Sequence, residues 1–271
     1  MSEVVLTAGI RSNLLQLQQT ADLLALTQSR LATGKKVNSA LDNPVNFFTA
    51  QGLTNRANDL NALLDGMSNA IQTLQAADNG ISAITKLVES AKSLVSQARQ
   101  TTDTTVRADL ATQFGTIRTQ IDQLAADAGF NGINLINGDD LDVQFDEDNS
   151  STLTITGATL TTGGDLAIAA AANNWAGDAD IDAADTDLTA ALTTLRTQAK
   201  TFGSYLSTVQ IRQDFTKALV NTLKVGADNL TLADTNEESA NMLALQTRQQ
   251  LSLVALSLAT QSNQAVLRLF A

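Results

Sequence analysis

Between Val4 and Ala32, Ile10, Leu14, Leu17, Ala21, Leu24, Gln28 and Leu31 follow each other at alternating spacings of four and three. That is a heptad seam with one polar interruption, a pattern that serves a helix packed along its length and little else. Leu15, Leu23 and Leu26 fall off the seam, so a second face of the same helix is apolar too. The other end of the chain repeats the theme. Leu251, Val254, Leu258 and Ala265 form one stripe, and Leu253, Leu256, Leu267 and Phe270 form another. Two stripes on one helix imply neighbours on more than one side. A pair of terminal helices cannot bury two stripes each, and further copies of the chain are expected to cover the remainder. The candidate interface residues are Ile10, Leu14, Leu17, Leu24, Leu31, Leu251, Val254, Leu258, Asn263, Leu267 and Phe270. Gln28, Gln246, Gln261, Asn263 and Gln264 are expected to set register or to bond neighbouring backbones.

The interior reads as helix, interruption, helix. Gly34 suits the residue after a helix, with Lys35 and Lys36 beside its C-terminal end. Asp42 or Asn43 can cap a second helix that has Pro44, the chain's one proline, at its first position. That helix is expected to run to about Gln100. A third, capped by Asp103 or Thr104, is expected to reach about Asp127. Gly129, Asn131, Gly132, Asn137 and Gly138 then mark a loop. Leu141 to Phe145 and Leu153 to Ile155 alternate with period two around Asp146 to Ser151, which predicts a β-hairpin. Helix is expected again from near Ala183 to about Val225, and a last helix after Gly226. The expected fold is mainly α: an elongated antiparallel helical bundle or coiled coil with a small β-hairpin region in the middle. Its expected divisions are a terminal coiled-coil domain (1–40 and 227–271), a helical-bundle domain (41–138 and 183–226) and an acidic hairpin and loop region on the outer surface (139–182).

Composition removes whole classes of function. Histidine and cysteine are absent, which takes away the usual base near neutral pH, the usual thiol nucleophile and the commonest transition-metal ligands. No catalytic residue, metal site or cofactor is expected. The net charge is −11, but twelve acids and no base lie between Asp139 and Asp187, leaving 16 acids against 17 bases elsewhere. No basic stripe is available for nucleic acid, and the acidic block reads as a solvated surface. Asp178-x-Asp180-x-Asp182 resembles the start of a calcium loop, but Ala183 and Thr189 stand where that loop needs Gly and Glu; solvated loop acids or helix N-terminal charge are the better readings. The first residues lack a basic region, so no cleavable signal peptide is expected. The uncharged stretch Gln249 to Leu267 carries too many Gln, Ser and Asn side chains to insert in a membrane.

Three stretches resemble one family. Ser29-Arg-Leu-Ala-Thr-Gly34-Lys-Lys-Val-Asn-Ser-Ala40-Leu-Asp42-Asn43 is similar to the R-L-A/S-S/T-G-x-K/R-I/V-N-S-A-x-D-D/N run of bacterial flagellins. Phe130-Asn-Gly-Ile-Asn-Leu135-Ile-Asn-Gly138 resembles their F-N-G-x-x-L-L-x-G. Leu258-Ala-Thr-Gln-Ser-Asn263-Gln264, followed by Val266-Leu-Arg-Leu-Phe270, resembles their terminal A-x-Q-x-N-Q and V-L-x-L-L/F. The resemblance covers roughly 1–140 and 183–271, in the right order at the right ends. It departs at Pro44-Val-Asn-Phe-Phe48, where small residues are usual, and in a short middle that leaves no room for large outer domains, as in alphaproteobacterial flagellins.

The resemblance implies a non-enzymatic subunit, exported by the flagellar type III apparatus, that polymerises into the extracellular filament used for swimming. It implies other copies of the chain, hook-associated and cap proteins and an export chaperone as partners. The hook–filament junction protein shares both terminal patterns and is the nearest rival. A secreted helical adhesin or effector that does not polymerise is a rival of another class. Many flagellins are recognised by a vertebrate innate receptor through a helix resembling L-Q-R-V-R-E-L-A-V-Q. The matching stretch here, Val88 to Gln97, has Ser90 where the first Arg stands, and Ser cannot replace a bidentate contact. Receptor reporter cells should therefore respond weakly to this chain beside a strongly active flagellin.

Overall fold

The computed structural model describes residues 8–269. Among them are five long helices: α1 (Ala8–Thr33), α2 (Pro44–Gln100), α3 (Thr104–Asp127), α4 (Asp178–Thr231) and α5 (Thr235–Leu269). Two short strands, β1 (Leu141–Gln144) and β2 (Thr152–Ile155), lie between α3 and α4. They pair antiparallel with Leu141 opposite Ile155 and Gln144 opposite Thr152, so the predicted hairpin forms. The mainly α fold and the small β element are as the pattern required. The chain divides into two compact units, residues 1–55 with 223–271, and residues 56–222.

The second unit holds a continuous core. Met67, Leu74, Ile81, Ile84, Val88 and Val95 of α2 are buried with Phe114 and Ile121 of α3 and with Leu188, Leu195 and Phe202 of α4. The hairpin adds Leu141, Val143 and Ile155, buried on alternate positions as a one-sided sheet requires. α3 starts at an N-cap, with Asp103 accepting from the backbone N–H of Thr105 (2.8 Å).

The chain from Phe130 to Gly138 seals the end of α3. Asn131 and Gly132 take positive φ (51° and 82°), so Phe130 and Ile133 close on each other through paired backbone bonds, the geometry an Asn-Gly turn favours. The Asn134 amide then donates to the carbonyls of Ala125 (2.8 Å) and Ala126 (3.0 Å), two acceptors the helix end leaves open. Leu135 and Ile136 are fully buried. A β-carbon at Gly80 would lie 2.6 Å from Ile136 Cδ1, so α2 carries glycine where this loop presses on it.

Residues 156–177 resisted assignment from pattern. They form an irregular layer held by side chains of α3: Asp122 accepts from the backbone N–H and hydroxyl of Thr162 (2.6 and 2.8 Å), and Arg118 donates to the Ile168 carbonyl (3.0 Å). Asn173, Asn174 and Trp175 all take positive φ, making a left-handed turn that drives the fully buried Trp175 ring against Phe114 at 5.0 Å between centroids. Asn tolerates that region and Trp does not, so burial of the indole must supply the compensation.

Two helix boundaries differ from the sequence reading. α4 begins at Asp178, not near Ala183, because Ile181 extends the buried spacing of Ala184 and Leu188 backward. Asp178 and Asp180 stand in its first turn, where negative charge suits the helix dipole, so the Asp-x-Asp-x-Asp run is helical and not a calcium loop. α4 also passes through Gly226 and ends at Thr231. A β-carbon at Gly226 would meet Leu53 Cδ1 at 3.4 Å, so this glycine serves close packing and does not end the helix.

None of the twelve acids of the block is fully buried, but several are paired with bases. Arg107 is buried and donates to the carbonyls of Ala98 (3.1 Å), Thr101 (2.7 Å) and Ala176 (3.2 Å) and to the Asp178 carboxylate (2.6 Å). Arg99 pairs with Asp182, Lys92 approaches Asp185 (3.8 Å), and Arg56 pairs with Glu147 (2.6 Å). Acids of the block thus meet bases from α2 and α3. Arg107→Ala should remove one buried cation and orphan three carbonyls, which predicts a loss of about 2–4 kcal/mol in urea unfolding followed by circular dichroism.

Candidate functional site: the paired helices α1 and α5

The first unit is organised by a hinge of short loops. Gly34 takes φ +69° just past α1, the left-handed position that ends many helices. The chain then lies antiparallel to the end of α4, with Lys36 N–H donating to the Thr231 carbonyl (2.8 Å) and Ala233 N–H to the Gly34 carbonyl (3.0 Å). Asp42 does not cap α2. Its carboxylate accepts from the backbone N–H of Asn38 (3.0 Å) and Ser39 (2.9 Å) and closes the loop before it. Asn43 is the cap, accepting from Asn46 N–H (3.0 Å), with Pro44 opening the helix.

Beyond this hinge α1 and α5 lie side by side, antiparallel. Asp234 caps α5, accepting from Asn236 N–H (2.8 Å). Arg30 donates to the buried Glu238 at 2.9 Å. A groove of about 280 Å³ continues along the pair, lined by Leu23, Leu26 and Thr27 of α1 and by Asn241, Leu245 and Arg248 of α5. Moving backward along α1 therefore means moving forward along α5.

The seam of this pair differs from the one read in the sequence. The least exposed positions of α1 are Ile10, Asn13, Leu17, Thr20, Leu24, Thr27 and Leu31. Ile10, Leu17, Leu24 and Leu31 were expected, but Asn13, Thr20 and Thr27 replace Leu14, Ala21 and Gln28. Buried Thr20 donates its hydroxyl to the Gln16 carbonyl (2.8 Å), which removes the cost of an unpaired polar group. On α5 the less exposed line is Glu238, Met242, Leu245, Gln249, Ser252, Leu256 and Ala259. Both lines keep heptad spacing and both are thin, with polar or small side chains at about half their positions. Hydrophobicity alone could not reveal this registration, because leucines lie both on it and off it.

Of the candidate interface residues, Ile10 is buried and Leu17, Leu24 and Leu31 are half-buried. Leu14 faces solvent, as do Leu251, Val254 and Leu258, each about two-thirds exposed. The side chains of Asn263 and Leu267, and Phe270 altogether, lie outside the described residues. Leu15, Leu23, Leu26, Leu243 and Leu253 are exposed as well. The pair thus presents apolar surface that it does not cover.

The family model described as the bacterial flagellin N-terminal helical region matches residues 7–140, and that of the bacterial flagellin C-terminal helical region matches residues 185–270. The chain belongs to the bacterial flagellin family. It is 33% identical over 279 residues to flagellin FljO of Caulobacter vibrioides, covering 100% of this chain and 99% of that one. It is 29% identical over 284 residues to a flagellin of Brucella melitensis, at the same coverage. Against the crystal structure of Bacillus cereus flagellin the TM-score is 0.47 at 22% identity, over 55% of this chain and 86% of that one. As a flagellin the chain is a structural subunit of the flagellar filament, and the junction-protein and adhesin alternatives are not favoured. Among the described residues no helix is long and apolar enough to cross a membrane.

The hinge of this flagellin carries a pH-sensitive contact. The backbone N–H groups of Ser39 and Asn38 hold the Asp42 carboxyl below its ordinary value of 3.8. A lowered folded-state pKa means that the loop is favoured above 3.8 and loses that support as pH falls through the folded value. The Asn38 and Ser39 amide signals in NMR should therefore shift toward unbonded positions on acidification below 3.8, and Asp42→Ala should show unbonded positions at neutral pH.

Proposed function

We propose that this flagellin polymerises through the outward faces of α1 and α5, so that the first unit forms the filament wall while residues 139–182 face outward. The observation that carries the reading is the mismatch between the thin seam and the large leucines beside it. Leu251, Val254 and Leu258 share one exposed face of α5, and Leu14 and Leu15 lie outward on α1. Contiguous apolar surface of this kind marks association, and a self-assembling family makes further copies the natural partner.

The role is non-catalytic. That reading rests on membership of a family of structural proteins. Export through the flagellar type III apparatus, capture by an export chaperone, and contacts with cap and hook-associated proteins belong to the same proposal and rest on family membership. So does an extracellular location.

Leu251→Asp and Leu258→Asp test it. Each places a charge where an apolar contact forms in the polymer, on a face that the folded monomer leaves in water. Monomer helicity should stay within a few per cent of the parent by circular dichroism, while seeded assembly measured by sedimentation should fall at least about tenfold. Filaments of normal yield from both variants would refute the interface.

A further inference from the structure

Between Ile168 and Ile181, both buried, the chain runs over the surface of the second unit. Among the described residues of this stretch Trp175 alone is buried. Ala172 to Asn174 on one side of it and Ala176 to Ala179 on the other are exposed. Both ends of the stretch are tied to α3. Arg118 donates to the Ile168 carbonyl (3.0 Å) and Arg107 to the Ala176 carbonyl (3.2 Å). The Ala169 N–H donates to Asp187 (3.2 Å) beside the first tie. In between, the Asn173 amide reaches the Asp180 carboxylate only at 3.4 Å, on the exposed surface. The middle of the segment therefore rests on one indole ring.

That ring is seated at a cost. Asn173, Asn174 and Trp175 take φ of 47°, 51° and 60° in succession. L-residues visit this region singly, not as a run, because the β-carbon crowds the following carbonyl. The indole N–H of Trp175 is buried and has no hydrogen-bond partner among the described residues, whereas in water it would have one. Against these costs stand burial of the ring and its tilted contact with Phe114. Gains and costs of this kind are of the same order. The seat of Trp175 is thus weak although the ring is fully buried. Backbone held in such a conformation by its surroundings is a mark of elements that switch.

Opening disturbs little else. Withdrawing one side chain relaxes three strained residues and hydrates the indole N–H. Arg107 keeps its bonds to the carbonyls of Ala98 and Thr101 on the helix side. Met67, Ile84 and Val88 of α2 and Leu188, Leu195 and Phe202 of α4 belong to the same core and need not move. What opens is the space over Phe114, an apolar patch on α3.

We propose that residues 169–175 form a strap that swings open between its Arg118 and Arg107 ties, drawing Trp175 off Phe114 while the helices of the second unit stay folded. The closed strap is the conformation described above. The open one is a minor state of the folded chain, and any contact that favours one state over the other shifts their balance. The inference concerns the second unit by itself and does not depend on the polymer reading.

Trp175 is the chain's one tryptophan, so its signals report on the strap directly. The test uses the full-length chain without seeds. Its emission should be blue-shifted and weakly quenched by acrylamide, as a seated ring requires; emission quenched as freely as in urea would overturn the closed state. In NMR hydrogen exchange, the indole N–H should exchange at least about 100-fold faster than the slowest amides of Leu188, Leu195 and Phe202, after correction for intrinsic rates. Its rate should stay nearly flat in low urea, because a local opening exposes little surface, while the core amides accelerate. An indole that exchanges at the core rate with the core's urea dependence would overturn the strap. Asn174→Ala raises the cost of the left-handed turn and should speed indole exchange by about threefold to tenfold with core amides unchanged. An unchanged indole rate, or core amides that accelerate equally, would refute a strap that opens on its own.

Discussion

What α1 and α5 can do depends on how little they bury in each other. The seam alternates Ile10, Leu17, Leu24 and Leu31 with Asn13, Thr20 and Thr27, and it faces a line of Met242, Leu245 and Leu256 broken by Gln249, Ser252 and Ala259. Small and polar side chains bring two helices close but gain little from leaving water. Leu14, Leu15, Leu23 and Leu26 of α1 and Leu251, Leu253 and Leu258 of α5 sit beside this seam, in solvent. A coiled coil built for its own stability would have placed them the other way round.

The second unit makes the opposite choice. Its buried positions on α2, α3 and α4 are filled by Met67, Leu74, Ile84, Phe114, Ile121 and Phe202, with Trp175 added from the turn before α4, and its buried cation Arg107 is met by three carbonyls and a carboxylate. Irregular backbone around Asn134 and Thr162 is tied to α3 by named side chains. Satisfied polar groups in a dense core mark a unit that orders itself without help. The two units differ in self-sufficiency, and the difference lies in residue type at like positions of like helices.

Much of this was legible in the sequence, for reasons that also mark the limits. Helix caps and turn signals are local chemistry, so Pro44, Asp103, the Asn131-Gly132 turn and the hairpin alternation were readable directly. Gly226 misled because a glycine can end a helix or admit a neighbour, and only Leu53 across the contact decides which. The start of α4 was placed near Ala183 and not at Asp178 for a related reason: acids fit a solvated loop as well as the first turn of a helix. The seam was misjudged at three of seven positions because Leu14, Ala21 and Gln28 keep heptad spacing with the true seam leucines as well as Asn13, Thr20 and Thr27 do, and the intrachain contact takes Thr and Asn. Arg107, Arg118 and Asp122 gave no signal, since many of their partners lie far along the chain, at Thr162, Ile168, Ala176 and Asp178.

The uncovered surface also sets a scale for assembly. Nine large apolar side chains of α1 and α5 are exposed among the described residues: Leu14, Leu15, Leu23, Leu26, Leu243, Leu251, Leu253, Val254 and Leu258. Full burial of one such side chain contributes about 1.5–3 kcal/mol, so covering most of them yields on the order of 10 kcal/mol. The loss of translational and rotational freedom on association costs about 4–15 kcal/mol. The two are comparable, which leaves the balance to shape and charge. A subunit whose leucines just offset the cost of joining does not aggregate at random, because a misplaced copy buries less.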